Sequence, residues 1–349
     1  MGSAVIDWSL RDQCFPKGKS MPNGIIGVAG HVPSRIVDNH RVGAWAGTSE
    51  EWIEERTGVR ERRYADEESA TSDLAAAAAE RLLNPPHGTP YEPGEIDALI
   101  VATTTPDQPQ PATAVFVQAR LGLGDVPAFD LNAVCSGFLY ALDVADAMLC
   151  AHRDWRNVLV IGADTYSTIM DRTDRRTVSL FGDGAGAVLV GRVPDGYGIH
   201  ATSLLADGTT TDHVRVEGGG SRRPAATLTD PGAHYFRMNG RAVKDWAVQH
   251  VPKAVHQALD ESGLRLDDID RAVFHQGNLR LVHTLADTLG IDSRKVAVTA
   301  DRYGNTAAAS IPLTLSESHR VAPLKRGDRV LMASVGGGMT AGAAVMTWY

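Results

Sequence analysis

The sequence predicts an α/β protein made of two copies of one unit, packed as a single body. Three observations lead there. The chain has 349 residues, long for one simple core but suited to two fused α/β halves. Short apolar, strand-like runs give way repeatedly to helix-like stretches. The first half is also echoed in the second. Ile96-Asp-Ala-Leu-Ile-Val-Ala-Thr103 parallels Ile269-Asp-Arg-Ala-Val-Phe-His-Gln276, and Val158-Leu-Val-Ile-Gly162 parallels Val330-Leu-Met-Ala-Ser334. Gly182-Asp-Gly-Ala-Gly-Ala-Val-Leu-Val190 parallels the glycine-rich end, Gly336 to Met346.

In chain order, residues 1–23 form an N-terminal extension ahead of the repeat. Met1 to Met21 lacks a continuous apolar core, so no signal peptide is expected. The first half covers 24–194, and the second covers 195–349. They divide at Pro194-Asp-Gly-Tyr-Gly198, a turn-rich stretch rather than a flexible linker. In this register Cys135 and Asn305 fall at corresponding places 170 residues apart, against 173 for the two Ile-Asp pairs. A pseudo-twofold would bring Cys135 and Asn305 to one central site.

Three segments carry the chemistry. In the first, a β-like run from Val126 to Leu131 breaks into small residues around Cys135, followed by an apolar helical stretch. A thiol at a helix N-terminus meets unpaired N–H groups and the positive end of the dipole, which favour the nucleophilic thiolate. In the second, Ala272-Val-Phe-His275 is an apolar run ending in histidine, with an amphipathic helical pattern from Leu279. In the third, Asn305 opens a run of small residues, Thr306 to Ser310, suited to a tightly packed helix start. The carboxyl ends of strands are where α/β sheets form ligand crevices. Cys, His and Asn together suit thioester chemistry. The cysteine takes the acyl group, and the other two polarise a carbonyl or stabilise developing negative charge.

Composition narrows the partners. Apolar residues make up 43% of the chain, and no apolar run approaches a membrane span of about 18–20 residues. Three cysteines argue against a disulfide framework. Cys14 and Cys150 read as structural or incidental, and the expected location is cytoplasmic. The net charge of −8 disfavours nucleic acid as a partner. Any anionic substrate must then dock on a local basic patch, for which Arg56, Arg60, Arg62, Arg63 and Arg280 are the candidates, followed by Arg172, Arg175 and Arg176. Gly182-Asp-Gly-Ala-Gly186 lacks the G-x-G-x-x-G spacing and a Walker lysine, so it is read as close backbone approach, not a nucleotide loop. The Gly336-Gly-Gly338 run follows a strand and could aim a backbone N–H at a thioester oxygen.

Seven blocks in order resemble the β-ketoacyl-(acyl carrier protein) synthase III family of the thiolase-like superfamily, over about Gly24 to Trp348. They are Thr48 to Arg63, Ala102 to Pro106, the Cys135 block, Phe181 to Val188, His275 to Arg280, Gly304 to Ser310, and Gly336 to Thr340. The resemblance implies a five-layer α-β-α-β-α fold and a homodimer. It implies acyl transfer through Cys135, with His275 and Asn305 as catalytic partners and the backbone N–H groups of Cys135 and Gly336 as oxyanion hole. Thr48, Trp52, Arg56 and Arg280 align with contacts to the nucleotide end of coenzyme A. Gln110 and Val335 align with the acyl or acceptor pocket, Gln110 reaching it across the dimer. No metal or redox cofactor is implied; the partners are acyl-CoA, acyl carrier protein and a second copy of the chain.

The chain departs from that family where its glycine-rich loop usually carries Phe and Trp, here Val335 and Ala341. It departs again at Gly277, where alanine is usual, and in the charged stretch Arg241 to Asp245. The leading expectation is decarboxylative condensation of an acyl starter with malonyl-ACP. One alternative moves the acyl group to a hydroxyl, amine or carrier thiol without forming a carbon–carbon bond, with His275 as general base. A more distant one is a non-catalytic ketosynthase-like partner, against which the retained Cys135, His275 and Asn305 argue.

Overall fold

The computed structural model describes residues 21–86 and 89–349. Cys14 and most of the extension expected over 1–23 lie outside the described residues. In chain order the strands are β1 (Asn23–His31), β2 (Arg35–Asp38), β3 (Glu61–Tyr64), β4 (Ala98–Ala102), β5 (Ala128–Leu131), β6 (Asn157–Asp164) and β7 (Gly184–Arg192). They continue with β8 (Gly198–Ala206), β9 (Val214–Arg215), β10 (Arg237–Met238), β11 (Arg271–Phe274), β12 (Arg329–Gly336) and β13 (Thr340–Thr347).

Two sheets dominate. The first runs β1-β7-β6-β4-β5 and the second β8-β13-β12-β11. In the first, β6, β4 and β5 pair parallel while β1, β7 and β6 pair antiparallel; in the second, β11 pairs parallel with β12 while β12, β13 and β8 pair antiparallel. β4 and β6 are buried along their whole length. Continuous apolar runs such as Ala98-Leu-Ile-Val-Ala102 are what a strand covered on both faces requires.

The helices fill three layers around these sheets. Thr71–Leu83 buries an alanine and leucine stripe on the outer face of the first sheet, with Thr113–Leu121 beside it. Gly240–Ser262 and Leu279–Leu289 cover the outer face of the second. Gly137–Ala151 and Ser310–Val321 lie between the sheets. Helix Gly137–Ala151 is apolar nearly all round because it faces a sheet on each side. With the preceding turn it is long and apolar enough to cross a membrane by composition, yet Phe138, Leu139, Leu142 and Leu149 are buried in this central layer. The result is a five-layer α-β-α-β-α body.

The register between the halves differs from the sequence comparison at one point. Asn132 Oδ1 accepts from Val134 N–H at 3.1 Å, and Asn305 Oδ1 accepts from Ala307 N–H at 2.9 Å. Val134 has φ 50° and Ala307 has φ 48°, and they are the described non-glycine residues with positive φ. Each opens a one-turn 3₁₀ helix, Val134–Ser136 or Ala307–Ala309, that runs into a central helix at Gly137 or Ser310. The counterpart of Asn305 is therefore Asn132, and that of Cys135 is Ala308. The alignment of Cys135 with Asn305 is corrected by three residues. The small residues from Thr306 to Ala309 offer no side-chain pattern from which to set the register.

Candidate active site

Cys135, His275 and Asn305 line one cavity of about 840 Å³ that extends to Trp52, Arg56 and Arg280. The trio is buried, at 8%, 4% and 5% exposure, whereas Arg56 and Arg280 are exposed. The reactive groups thus form the floor, and the basic residues form the mouth.

Cys135 follows β5 on the strained turn that starts at Val134, just before helix Gly137–Ala151. A β-branched residue at positive φ is costly and persists only where the surroundings dictate it. Around Cys135 pack Tyr166, Met170, Leu180, Phe181 and Phe236. Tyr166 and Phe181 stack with centroids 4.5 Å apart, and Phe236 meets both edge-on. This wall changes the expected protonation state. Burial pushes the Cys135 thiol well above its ordinary value, nearby Asp164 raises it further, and its backbone hydrogen bond only partly offsets them. The helix start does not by itself deliver a resting thiolate; desolvation wins.

His275 directly follows β11, and its backbone N–H donates to Ala333 O at 2.8 Å. Its Nδ1 lies 2.7 Å from Ser310 Oγ, which also accepts from Gln276 N–H at 3.4 Å. The serine proton then has Nδ1 as its acceptor. With the serine donating to Nδ1, the neutral ring carries its single N–H proton on Nε2. Burial lowers His275 to about 4, so the ring is neutral at ordinary pH. At Gly277, where alanine is usual, an added Cβ would lie 3.3 Å from Leu281 Cδ2, a tight contact, and 3.5 Å from His275 Nε2, an ordinary one.

Asn305 follows a short helix, Ala300–Tyr303, rather than a strand. It is held from both sides of the chain. Its N–H donates to Leu180 O at 2.8 Å, and its C=O accepts from Gly182 N–H at 3.0 Å. A Cβ on Gly182 would come within 2.3 Å of Tyr303 O, so glycine is needed there for backbone contact. With Oδ1 occupied by Ala307 N–H, the Asn305 amide presents its NH₂ as the remaining donor. Gly336 closes the site from β12: an added Cβ would sit 2.9 Å from both Ala133 O and Ser136 N. Val335 lines the same cavity.

At the mouth, Arg280 Nε and Nη2 donate to Glu55 O at 3.1 and 2.9 Å, tying the second half to helix Glu50–Thr57. Arg175 stacks over Trp52 at 4.8 Å, and Arg176 lines the cavity. Thr48 is half-buried outside the lining, its N–H donating to Gly43 O at 3.1 Å. Gln110 sits on an exposed loop, outside the lining.

The basic patch contracts in the structure. Arg62 is fully buried and donates to Val37 O, Asn39 Oδ1 and Ser179 O. Arg60 pairs with Asp301 at 2.6 Å and Arg63 with Glu61 at 2.8 Å. None of the three lines the cavity. Sequence reasoning missed Val214, Phe236 and Met238, which lie on or beside the β9–β10 ribbon, whose two-residue strands are too short to show a periodicity. It noted the charge near Arg241, but not that Lys244 lines the cavity.

Comparison with known proteins follows the same lines. The family described as 3-oxoacyl-[acyl-carrier-protein (ACP)] synthase III matches residues 129–208, and its C-terminal part matches 259–348. The chain is 46% identical over 327 residues to β-ketoacyl-[acyl-carrier-protein] synthase III 3 of Streptomyces coelicolor, covering 93% of this chain and 96% of that one. It is 42% identical over 327 residues to acetoacetyl CoA synthase NphT7 of Streptomyces sp. CL190, covering 93% and 98%. The crystal structure of β-ketoacyl-[acyl carrier protein] synthase III from Thermus thermophilus superposes with TM-score 0.86 at 43% identity, covering 93% of this chain and 99% of that one. The chain therefore belongs to the β-ketoacyl-(acyl carrier protein) synthase III family of condensing transferases and has its thiolase-like fold.

Proposed function

We propose that the protein condenses an acyl starter, carried on coenzyme A or an acyl carrier protein, with malonyl-ACP in fatty-acid-like or polyketide biosynthesis. One observation supports this most directly. Two neutral donors, His275 Nε2–H and Asn305 NH₂, belong to the cavity that holds the Cys135 thiol.

In the first step Cys135 Sγ attacks the thioester carbonyl and the acyl–sulfur bond to coenzyme A breaks. The cysteine proton leaves with the departing thiol. The N–H groups of Cys135 and Gly336 hold the tetrahedral oxyanion; losing one such donor typically costs about 3–4 kcal/mol. Malonyl-ACP then loses CO₂, and the released electron pair forms an enolate whose oxygen takes hydrogen bonds from His275 and Asn305. Its carbon attacks the acyl carbonyl, and Cys135 leaves as sulfur anion, to be reprotonated. Thioester substrates alone supply this chemistry.

Trp52, Arg56 and Arg280 receive the nucleotide end of coenzyme A, and Thr48, just before helix Glu50–Thr57, is assigned to the same end. Arginine matches phosphate, and the indole face takes a planar group. Val335 shapes the acyl pocket. The halves 24–194 and 195–349 each supply part of the site. A homodimer is supported by β5, which is the edge of its sheet, and by Phe116, which is 38% exposed on the neighbouring helix. Pairing β5 with its twofold mate removes that edge and gives the partner's Gln110 a place in the acyl pocket.

A general-base role for His275, which the acyl-transfer alternative needs, fits less well, because Nε2 already carries the proton. Intact-protein mass spectrometry tests the reading. Acyl-CoA should add one acyl group on Cys135, and malonyl-ACP should discharge it as β-ketoacyl-ACP with release of CO₂. An adduct that malonyl-ACP leaves untouched would move the assignment to simple acyl transfer.

A further inference from the structure

The duplicated unit brings a second nucleophile-type turn into the protein, and it is filled by a side chain. The turn Ala307–Ala309 repeats the turn at Cys135, with Ala308 in the cysteine's place. Strand β6 ends at Asp164 as β12 ends at Gly336, each strand pairing with its own antiparallel neighbour there. Where Gly336 leaves room beside Cys135, Asp164 projects a carboxylate, and its Oδ2 accepts from Ala308 N–H at 2.9 Å. The internal carboxylate sits where, in the other half, a reacting thioester oxygen would be held.

Asp164 is 0% exposed and has no cationic partner among the described ion pairs. Its Oδ1 is surrounded by the hydroxyls of Thr103, Thr104 and Thr105 and the N–H groups of Thr104 and Thr105, at 2.8 to 3.1 Å. Thr104 Oγ1 lies 3.2 Å from Tyr166 Oη, which connects the carboxylate to the aromatic wall at Cys135. The other oxygen holds the turn whose first N–H, that of Ala307, fixes the Asn305 amide.

We infer that Asp164 is a positioning residue for the condensation step: by filling the vestigial turn it fixes the direction in which Asn305 presents its NH₂. The inference rests on the condensing reading proposed above. An amide in place of the carboxylate makes the distinction sharp. Donors crowd Oδ1, so the amide oxygen of Asp164→Asn must face the threonines, and its NH₂ must face Ala308 N–H. Two donors then oppose each other, and the turn, with Asn305, shifts.

The experiment separates the two half-reactions by mass spectrometry. Acylation of Cys135 is timed with acyl-CoA alone; discharge is timed by adding malonyl-ACP to pre-acylated enzyme. Wild type is the control for the condensing reading: if it does not discharge, that reading fails before Asp164 is at issue. For Asp164→Asn the expected result is acylation at or above the wild-type rate, with discharge slowed about 100-fold, the scale of one misplaced catalytic donor. Asp164→Glu, which keeps the charge but displaces it by a methylene, is expected to show the same split with smaller amplitude, and serves if the amide variant does not fold. Discharge at the wild-type rate, or loss of both steps in proportion to the folded fraction, overturns the inference.

Discussion

His275 Nδ1 and Ser310 Oγ lie 2.7 Å apart, both buried, on elements 35 residues apart in the chain. The serine is the first residue of a central helix, and the histidine directly follows a strand of the second sheet. This contact decides what the imidazole can do, because a proton given by serine to Nδ1 leaves Nε2 as a donor. Removing the hydroxyl frees the ring to take either tautomer.

Ser310→Ala should therefore slow discharge of acyl-Cys135 by malonyl-ACP by roughly 10- to 100-fold, the usual scale for a lost orienting partner. Acylation should change little. Nitrogen NMR of labelled histidine should show a mixed tautomer in the variant against a single one in the wild type. Equal discharge rates would mean that the hydroxyl does not set the ring.

Much of this was legible in the sequence, for physical reasons that differ between residues. Strands such as β4 and β6 are buried on both faces and so announce themselves as unbroken apolar runs. His275 ends such a run and is followed by Asn278, whose side chain accepts from Leu281 N–H at 2.8 Å and caps the next helix. Ser310 and Asp164 were harder to see. A serine and an aspartate are ordinary in isolation, and their roles depend on which backbone groups the two halves bring to them. The protonation of Cys135 was misjudged because local helix geometry is readable from sequence, whereas the ring of Tyr166, Phe181 and Phe236 is assembled from three separate segments.

That aromatic enclosure makes the second prediction. The Cys135 thiol is pushed up by burial first and by Asp164 second. Its alkylation by iodoacetamide should keep rising with pH through 9, with no plateau near the ordinary thiol value of about 8.5. The comparison uses a background in which both other cysteines, Cys14 and Cys150, are replaced by serine. A plateau below pH 8 would mean that the helix start outweighs desolvation.

The third prediction concerns stability. His275 is lowered to about 4 by burial, from an ordinary value of 6.5. As pH falls below 6.5 the unfolded chain takes up a proton that the folded chain refuses, so the folded state loses stability until pH reaches about 4. The slope from this residue is about 1.4 kcal/mol per pH unit. His31, lowered to about 4 by burial and then by Arg81, acts in the same direction and window. Tm should fall from pH 6.5 to 4.5 in the wild type and fall less steeply in His275→Asn. Parallel curves would contradict the neutral, buried imidazole.

The mouth and the floor should separate kinetically. Arg280 is exposed and reaches the cavity while holding Glu55 O across the two halves. Its loss removes binding energy for the phosphate-bearing end of a thioester, shared by the ground and transition states. Arg280→Ala should raise KM for acyl-CoA roughly 10-fold with little change in kcat, as loss of uniform binding does. Added salt should raise the wild-type KM and narrow the difference. Gly336→Ala should do the reverse. Its methyl would lie 2.9 Å from two backbone atoms of the nucleophile turn, which cannot swing aside as a side chain could. The turn must move, the Cys135 N–H with it, and acylation should slow by about 100-fold or more at saturating acyl-CoA. Steady-state kinetics of the two variants side by side would test this division; if Arg280→Ala lowers kcat as much as Gly336→Ala does, the mouth is coupled to the chemistry and the division fails.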